Sequence, residues 1–313
     1  MALLVEKTEP GLRLEKFSIV APKSEVMDIR NPTDVETAVG QAKQGVPFGF
    51  AGMGVYGFGG TKEGIIKAAE LKTEAAKALG STKFRNLEKE PPVCLPSWPL
   101  LHEATDWRKL AGKRFEPEEL SLFFHQLYFR YPSHFVVPLE KDFAAEFLHP
   151  KMRSINGEQA ATYAFVFTGI NYELQRLIEA FEKKCQSPMF VMSANPTGEK
   201  SITRAGAFME SFPGIPILTD PLMEEAFSES STSHPMIDAT PLSTTGQMAV
   251  IRKTKGHPIL LETAIEDFGW QNKIKVVDSP DVTILTGDYI RNISDLAGMI
   301  EVLYDFERPI STN

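Results

Sequence analysis

Seven glycines fall within the 19 residues VPFGFAGMGVYGFGGTKEG, positions 46 to 64, interleaved with Phe48, Phe50, Tyr56 and Phe58. This stretch constrains the fold more than any other. It reads as two short strands over 46–58 joined by a tight turn, with glycines where backbone must approach closely. Thr61 or the glycines before it then open a long helix over 62–79, with Ile65, Ile66, Ala69, Ala76 and Leu79 near one face.

The remaining periodicities extend this pattern. NPTDVETAVGQAKQG (31–45) reads as a helix started by Thr33 or Asp34 and ended by Gly45. PEELSLFFHQLYFR (117–130) has Pro117 in its first turn. NYELQRLIEAFEKK (171–184) is capped by Asn171 and carries the stripe Leu174, Leu177, Ile178, Phe181. Strands are expected at 134–139, 161–167, 188–192, 215–219, 247–253, 274–277 and 282–286, with a short helix near 204–212 and a final one at 293–306. Residues 90–117 read as proline-rich and then charged chain, and 228–246 as a Ser/Thr-rich loop. Helices and strands are mixed rather than strictly alternating. The expected class is therefore α/β (α+β mixed), a twisted mixed sheet with flanking helices. The expected division is an N-terminal arm at 1–34, a main domain at 35–268, and a C-terminal extension at 269–313 packed on or near it.

Bulk properties narrow the function. The 313 residues carry a net charge of −8 and only Cys94 and Cys185. Two distant cysteines fit a reducing cytoplasmic setting and give neither a disulfide framework nor a zinc motif. His102, His125, His134, His149, His234 and His257 are scattered without HxH or HExxH spacing, so no metal site is expected. An acidic chain disfavours a broad nucleic-acid footprint, so any anion site must be local. The N-terminus lacks signal-peptide character, and no apolar run reaches the length of a membrane span.

FVMSANPTGEKS (190–201) brings an apolar strand straight into small hydroxyl, amide and glycine residues. Two readings fit it. One is an ordinary turn. The other is a strand-end site where hydroxyls and open N–H groups meet an anion.

In order, these motifs resemble the YrdC-like carbamoyl-adenylate synthases, whose best-known members make threonylcarbamoyl-AMP for tRNA modification. The similarity covers about residues 35–265. GMGVYGFG (52–59) keeps Val55-Tyr56-Gly57 and Gly59 of a signature strand, and Ser193-Ala194-Asn195-Pro196-Thr197-Gly198 with Ser201 matches another. Asp238-Ala239-Thr240 and Ile251-Arg252 match weaker ones. The family's Lys-x-Arg, followed by Lys and Pro, matches Lys83, Arg85, Lys89 and Pro91 when the preceding helix is longer than usual. Spacing alone places it instead at Lys72-Thr73-Glu74, without the arginine. The first placement restores both cations and is preferred, which leaves Lys72 with little expected role. The family's Thr-Asp-Thr is here Gly52-Met53-Gly54, and its arginine-bearing strand corresponds to TYAFVFT, without the arginine.

The resemblance implies a YrdC-like fold with a concave ligand pocket and a nucleotidyltransferase. That enzyme would join ATP, bicarbonate and an amino acid or other amine and release pyrophosphate, with Mg2+ carried by ATP. Lys83 and Arg85 would be the catalytic cations. Ser193, Asn195, Ser201, Arg252 and Lys89 would hold nucleotide and carbamate. Gly54, Tyr56, Gly57, Asp238 and His234 would face the substrate. The residues by themselves also admit an ion pair for Arg252, core packing for Tyr56 and an Asx turn for Asp238. Alternatives of other classes are a non-catalytic nucleotide- or RNA-binding module, and carbamoyl transfer in specialised metabolism. RNA is not favoured, and no membrane partner is expected.

Overall fold

A computed structural model describes residues 24–288, except 53–54, 83, 85, 170, 197–198, 222–223, 225–233 and 256–258. Most of the N-terminal arm, the helix expected at 293–306, and the candidates Lys83, Arg85 and Gly54 lie outside the described residues. The strands are β1 (Val26–Asp28), β2 (Phe48–Ala51), β3 (Tyr56–Gly60), β4 (Val93–Leu95), β5 (Ser133–Pro138), β6 (Lys151–Ile155), β7 (Glu158–Phe167), β8 (Met189–Ser193), β9 (Ile217–Thr219), β10 (Met236–Asp238), β11 (Gln247–Lys255) and β12 (Lys275–Asp288). The helices are α1 (Pro32–Lys43), α2 (Lys62–Ala78), α3 (Trp98–Ala104), α4 (Trp107–Ala111), α5 (Pro117–Arg130), α6 (Tyr172–Cys185), α7 (Ala205–Ser211), α8 (Leu242–Thr245) and α9 (Ile259–Asp267).

The strands form one mixed sheet in the order β1-β9-β2-β3-β8-β4-β7-β5-β10-β11-β12, with β6 paired to β7. The glycine-rich stretch is the expected hairpin: β2 and β3 pair antiparallel, from Phe48 opposite Gly59 to Ala51 opposite Tyr56. Period two along the strands separates two cores. Along β7, Phe165 and Phe167 join the cluster under α2–α5, whereas Val166 joins the cluster under α1 and α6. The 171–184 stripe behaves as read: Asn171 caps α6, and Leu174, Leu177, Ile178 and Phe181 are all buried.

Several boundaries differ from the sequence reading. Asn31, not Thr33 or Asp34, caps α1, its side chain accepting from the Thr33 N–H at 3.1 Å. Pro32 fills the first helical position and has no N–H to satisfy, so the cap is the residue just before it. Asp34 instead accepts from the Asp28 N–H at 2.8 Å. The proline-rich 90–117 stretch holds β4, α3 and α4. Its prolines stand at element starts: Ser97 caps α3, and Pro99 sits in the first turn. The Ser/Thr-rich segment contains β10, which lies parallel to β5. The two strands expected at 274–286 are one, β12, whose register against β11 shifts twice. Pro280 falls where the β11–β12 register breaks between Asp278 and Thr283, so it interrupts no ladder pair with β11. Among the described residues no helix is long and apolar enough to cross a membrane.

Candidate functional site

The polar exit of β8 is built first by its neighbours. Gly57 of β3 pairs with Ser193, and the Ala194 N–H donates to the Tyr56 carbonyl at 3.0 Å. The chain then returns, since the Tyr56 N–H donates to the Ile202 carbonyl at 2.7 Å. Gly57 lets the strands and the Phe50 ring approach closely here. A Cβ would stand 3.1 Å from the Met192 carbonyl and 3.2 Å from the Phe50 ring. Asn195 closes the loop from inside, its Nδ2 donating to the Glu199 carbonyl at 2.8 Å. The turn reading of this stretch is therefore realised in Asn195. Ser201 is half-buried in the returning limb.

Beneath this exit lies a cation that the preferred alignment had set aside. Lys72 is buried in α2 at 3 % exposure, and its Nζ donates to the Ser193 carbonyl at 2.7 Å. Lys72, to which the preferred placement gave little role in ATP use, thus has a defined partner in the fold. A lysine removed from water must be paired, and this one is paired at the strand exit. The sequence signal was present. Lys72 stands on the apolar stripe Ile65, Ala69, Ala76, where a charged residue is out of place unless it is held. Lys89 is exposed on a turn whose N–H groups are capped by Asn86.

A cleft crosses the sheet from this exit. It is lined by Phe50, Gly52, Val55 and Gly57 of the hairpin, by Val93, Leu95, Val166 and Val191 of the central strands, and by Leu174, Met192 and Ser193. His134 and His234 complete the lining. His134 on β5 is in register with Met236 on β10, and Met236 with Arg252 on β11. Arg252 reaches across that row. Its Nη2 lies 2.9 Å from His134 Nδ1, and its Nε donates to the His234 carbonyl at 2.8 Å. A guanidinium only donates, so His134 Nδ1 accepts and the ring is neutral with its proton on Nε2. Burial first, then the charges of Arg252 and His234, push the His134 pKa well below the usual histidine range. Ser193, Gly57 and His234 of the expected set line the cleft together with His134. Arg252 touches both histidines, and Lys72 reaches the Ser193 carbonyl from α2 without lining the cleft. His134 was missed because nothing in HFVVPL tells which strand will lie beside it.

Two expected substrate contacts are engaged elsewhere. Tyr56 is fully buried on the opposite face, against Phe208, and its hydroxyl donates to Glu224. Burial raises the Tyr56 pKa, and the Glu224 carboxylate raises it further. Asp238 forms an Asx turn, accepting from the Thr240 N–H at 3.0 Å and hydroxyl at 2.7 Å, and it is ion-paired to Arg153. Neither residue lines the cleft. In this structure Tyr56 serves packing, and Asp238 a turn and an ion pair.

No protein-family model matches the chain, and no curated protein matches it. Solved structures do. A variant of Sua5 from P. abyssi is similar over 91% of this chain and 76% of its own, at 17% identity and a TM-score of 0.55. P. abyssi Sua5 in complex with L-threonine matches over the same shares at 16% identity and a TM-score of 0.51. A hypothetical protein from Streptococcus mutans, smu.1377c, matches over 83% of this chain and 99% of its own, at 16% identity and a TM-score of 0.54. At such identities the likeness is one of fold: the chain carries the YrdC-like fold of Sua5.

Proposed function

We propose that this protein is an ATP-dependent enzyme that makes a carbamoyl-type adenylate, threonylcarbamoyl-AMP or a related species. The observation that carries the reading is the buried Lys72 ammonium held 2.7 Å from the Ser193 carbonyl, where the SANPTG loop leaves the sheet opposite Gly57. A cation, a polar loop and a glycine-opened hairpin meet at one point of a Sua5-like fold. The threonine complex of P. abyssi Sua5 supports an amino acid as the amine.

In this reaction the amine nitrogen adds to carbon dioxide derived from bicarbonate and gives a carbamate. A carbamate oxygen then attacks the α-phosphorus of ATP, the bond to the β-phosphate oxygen breaks, and pyrophosphate leaves. The protein's contribution is orientation and charge neutralisation rather than covalent chemistry. Lys72 would place positive charge at the strand exit, and Lys83 and Arg85 would add theirs from the segment after α2. Arginine suits a fork-like grip on phosphate, whereas lysine acts as a point charge. Ser193 and Ser201 would hydrogen-bond carbamate and phosphate. Asn195 holds the loop that presents them. Arg252 acts through His134, which it keeps neutral. Magnesium would arrive on the phosphates of ATP and asks for no carboxylate cage.

The test is pyrophosphate release from ATP, magnesium and bicarbonate across a panel of amino acids. Release that requires both bicarbonate and one amine is the expected result, with Lys83→Ala and Arg85→Ala each lowering it by about 100-fold or more. ATP binding without release would instead identify a nucleotide-binding module. Absence of both binding and release would end the proposal.

A further inference from the structure

His134 brings to the cleft a hydrogen-bond donor whose identity the protein itself sets. The ring is half-buried, lines the cleft, and stands in register with Val166 on β7. His234 lines the cleft beside it, the two ring centroids 5.6 Å apart. The Nδ1 of His134 is engaged by Arg252, whose Nη2 lies 2.9 Å away, so the other ring nitrogen carries the proton and donates. Arg252 is in turn held through its Nε by the His234 carbonyl at 2.8 Å. A guanidinium bonded to one ring nitrogen polarises the ring and strengthens the donor on the other. It also sets a full positive charge behind that donor. Both effects favour an anionic acceptor over a neutral one. The donor is remote from the Ser193 exit. β8, β4, β7 and β5 are successive in the sheet, so three inter-strand steps, about 14 Å, separate the two strands. With phosphates at the exit, the amine end of the ligand extends toward the histidines.

We propose that the Nε2–H of His134 binds the carboxylate of an amino-acid substrate, and that Arg252 is the residue that positions this donor. The inference rests on the adenylate-forming reading and names the group by which the same cleft selects an amino acid over a simple amine.

Histidine-selective nitrogen NMR tests the contact without turnover. The probes are glycine, L-serine, L-threonine, L-valine and L-phenylalanine and their carboxamides, each with α,β-methylene-ATP and magnesium, up to about 10 mM, well above the usual KM range. His134→Gln identifies the His134 signals. The ring should be the neutral Nε2–H tautomer near neutral pH, and at least one acid, but not its carboxamide, should shift the Nε2–H signal. Arg252→Ala, shown folded by a thermal melt, should lose the tautomer preference. An Nδ1–H tautomer in the unmutated protein would overturn the inference, as would no shift with any of the five acids or an equal shift with a carboxamide. A shift with α,β-methylene-ATP alone would assign the anion to a phosphate and overturn the carboxylate. The pyrophosphate assay reports separately. There His134→Leu should raise the amino-acid KM by at least about tenfold, as loss of a bond to a charged group implies, and leave that for ATP nearly unchanged, with partial recovery in His134→Gln. Release with an unchanged amino-acid KM in His134→Leu would keep the adenylate reading and sink this one. Carboxylate-dependent shifts without any release would keep this one and sink the adenylate reading.

Discussion

His134 and Lys72 are polar side chains held by different partners. The Lys72 Nζ donates to the Ser193 carbonyl, whereas the guanidinium facing His134 disfavours its charged form. For His134 the folded pKa is depressed below the unfolded one. The unfolded chain therefore takes up a proton first as pH falls. The stability due to the neutral ring is complete above about pH 6.5 and is lost on acidification below it. Groups facing the ring are Arg252 and His234, and both oppose its protonation. We expect the stability of the protein to fall between pH 6.5 and 5, with His134→Gln flattening that slope by about one proton, or about 1.4 kcal/mol per pH unit. Denaturant titrations at several pH values measure this, and equal slopes in both proteins would refute it. His125 is also shifted down, by burial and then by His102, so the residual slope in the variant is expected to be non-zero. For Lys72, replacement by methionine keeps the stem and removes the donor. The Ser193 carbonyl would lose this partner, at about 1–3 kcal/mol. ATP should bind at least about tenfold more weakly, as removal of a charge-assisted contact implies. Unchanged ATP affinity in a folded Lys72→Met protein would show that this lysine only braces the strand exit.

Helix α6 carries its own electrostatic burden. Glu182, on the buried side of its last turns, accepts the Ser97 N–H at 2.8 Å and so ties α6 to the cap of α3. Burial raises its pKa, the Ser97 bonds pull it partly back, and Glu179 adds to the rise. A carboxyl with a raised folded pKa weakens the fold where it is ionised, and the deficit disappears as pH falls through that pKa. Glu182→Gln retains an acceptor for Ser97 without the charge, and it should be neutral or stabilising by about 1 kcal/mol at pH 7. A loss of more than that in a thermal melt would mean that the carboxylate is needed as an anion. Elements such as α6 and the β2–β3 hairpin were legible because local chemistry fixed them: a cap, a stripe, alternating glycines and aromatics. The segments misread, 90–117 and 236–238, are short pieces whose stability comes from partners far along the chain. β4 pairs with β7 and β8, and β10 pairs with β5 and β11. The site followed the same rule. Ser193 and Gly57 could be read from motifs and Lys72 from its place on the apolar stripe of α2, but His134 needed the register of three strands, and the partner of Lys72 needed the path of α2 beside β8.

At the scale of the whole molecule the sheet sets the limits of the folding unit. The sequence reading drew the main domain over 35–268, which leaves out both ends of the strand order. Yet β1 pairs with β9, and Met27 and Ile29 are buried at 4 % and 2 % beneath α1. At the other end β12 pairs along β11, and Trp270 and Ile274 are buried at 5 % and 3 % against Phe115, Phe123 and their neighbours. Burying a large apolar side chain contributes about 1.5–3 kcal/mol. Together these four residues supply about 6–12 kcal/mol, which is comparable to the whole net stability of an ordinary domain. A fragment of residues 35–268 should therefore fail to unfold cooperatively, whereas residues 24–288 should melt in a single transition. Calorimetry on the two fragments distinguishes these outcomes. A cooperative melt for the shorter one, within a few degrees of the longer, would mean that the edge strands are appendages. The consequence reaches the cleft. β9 lies between β1 and β2, and β11 carries Arg252 against β12, so both ends of the sheet brace strands that line the site or act on it. Loss of either edge should weaken ligand binding even where the remaining chain stays compact.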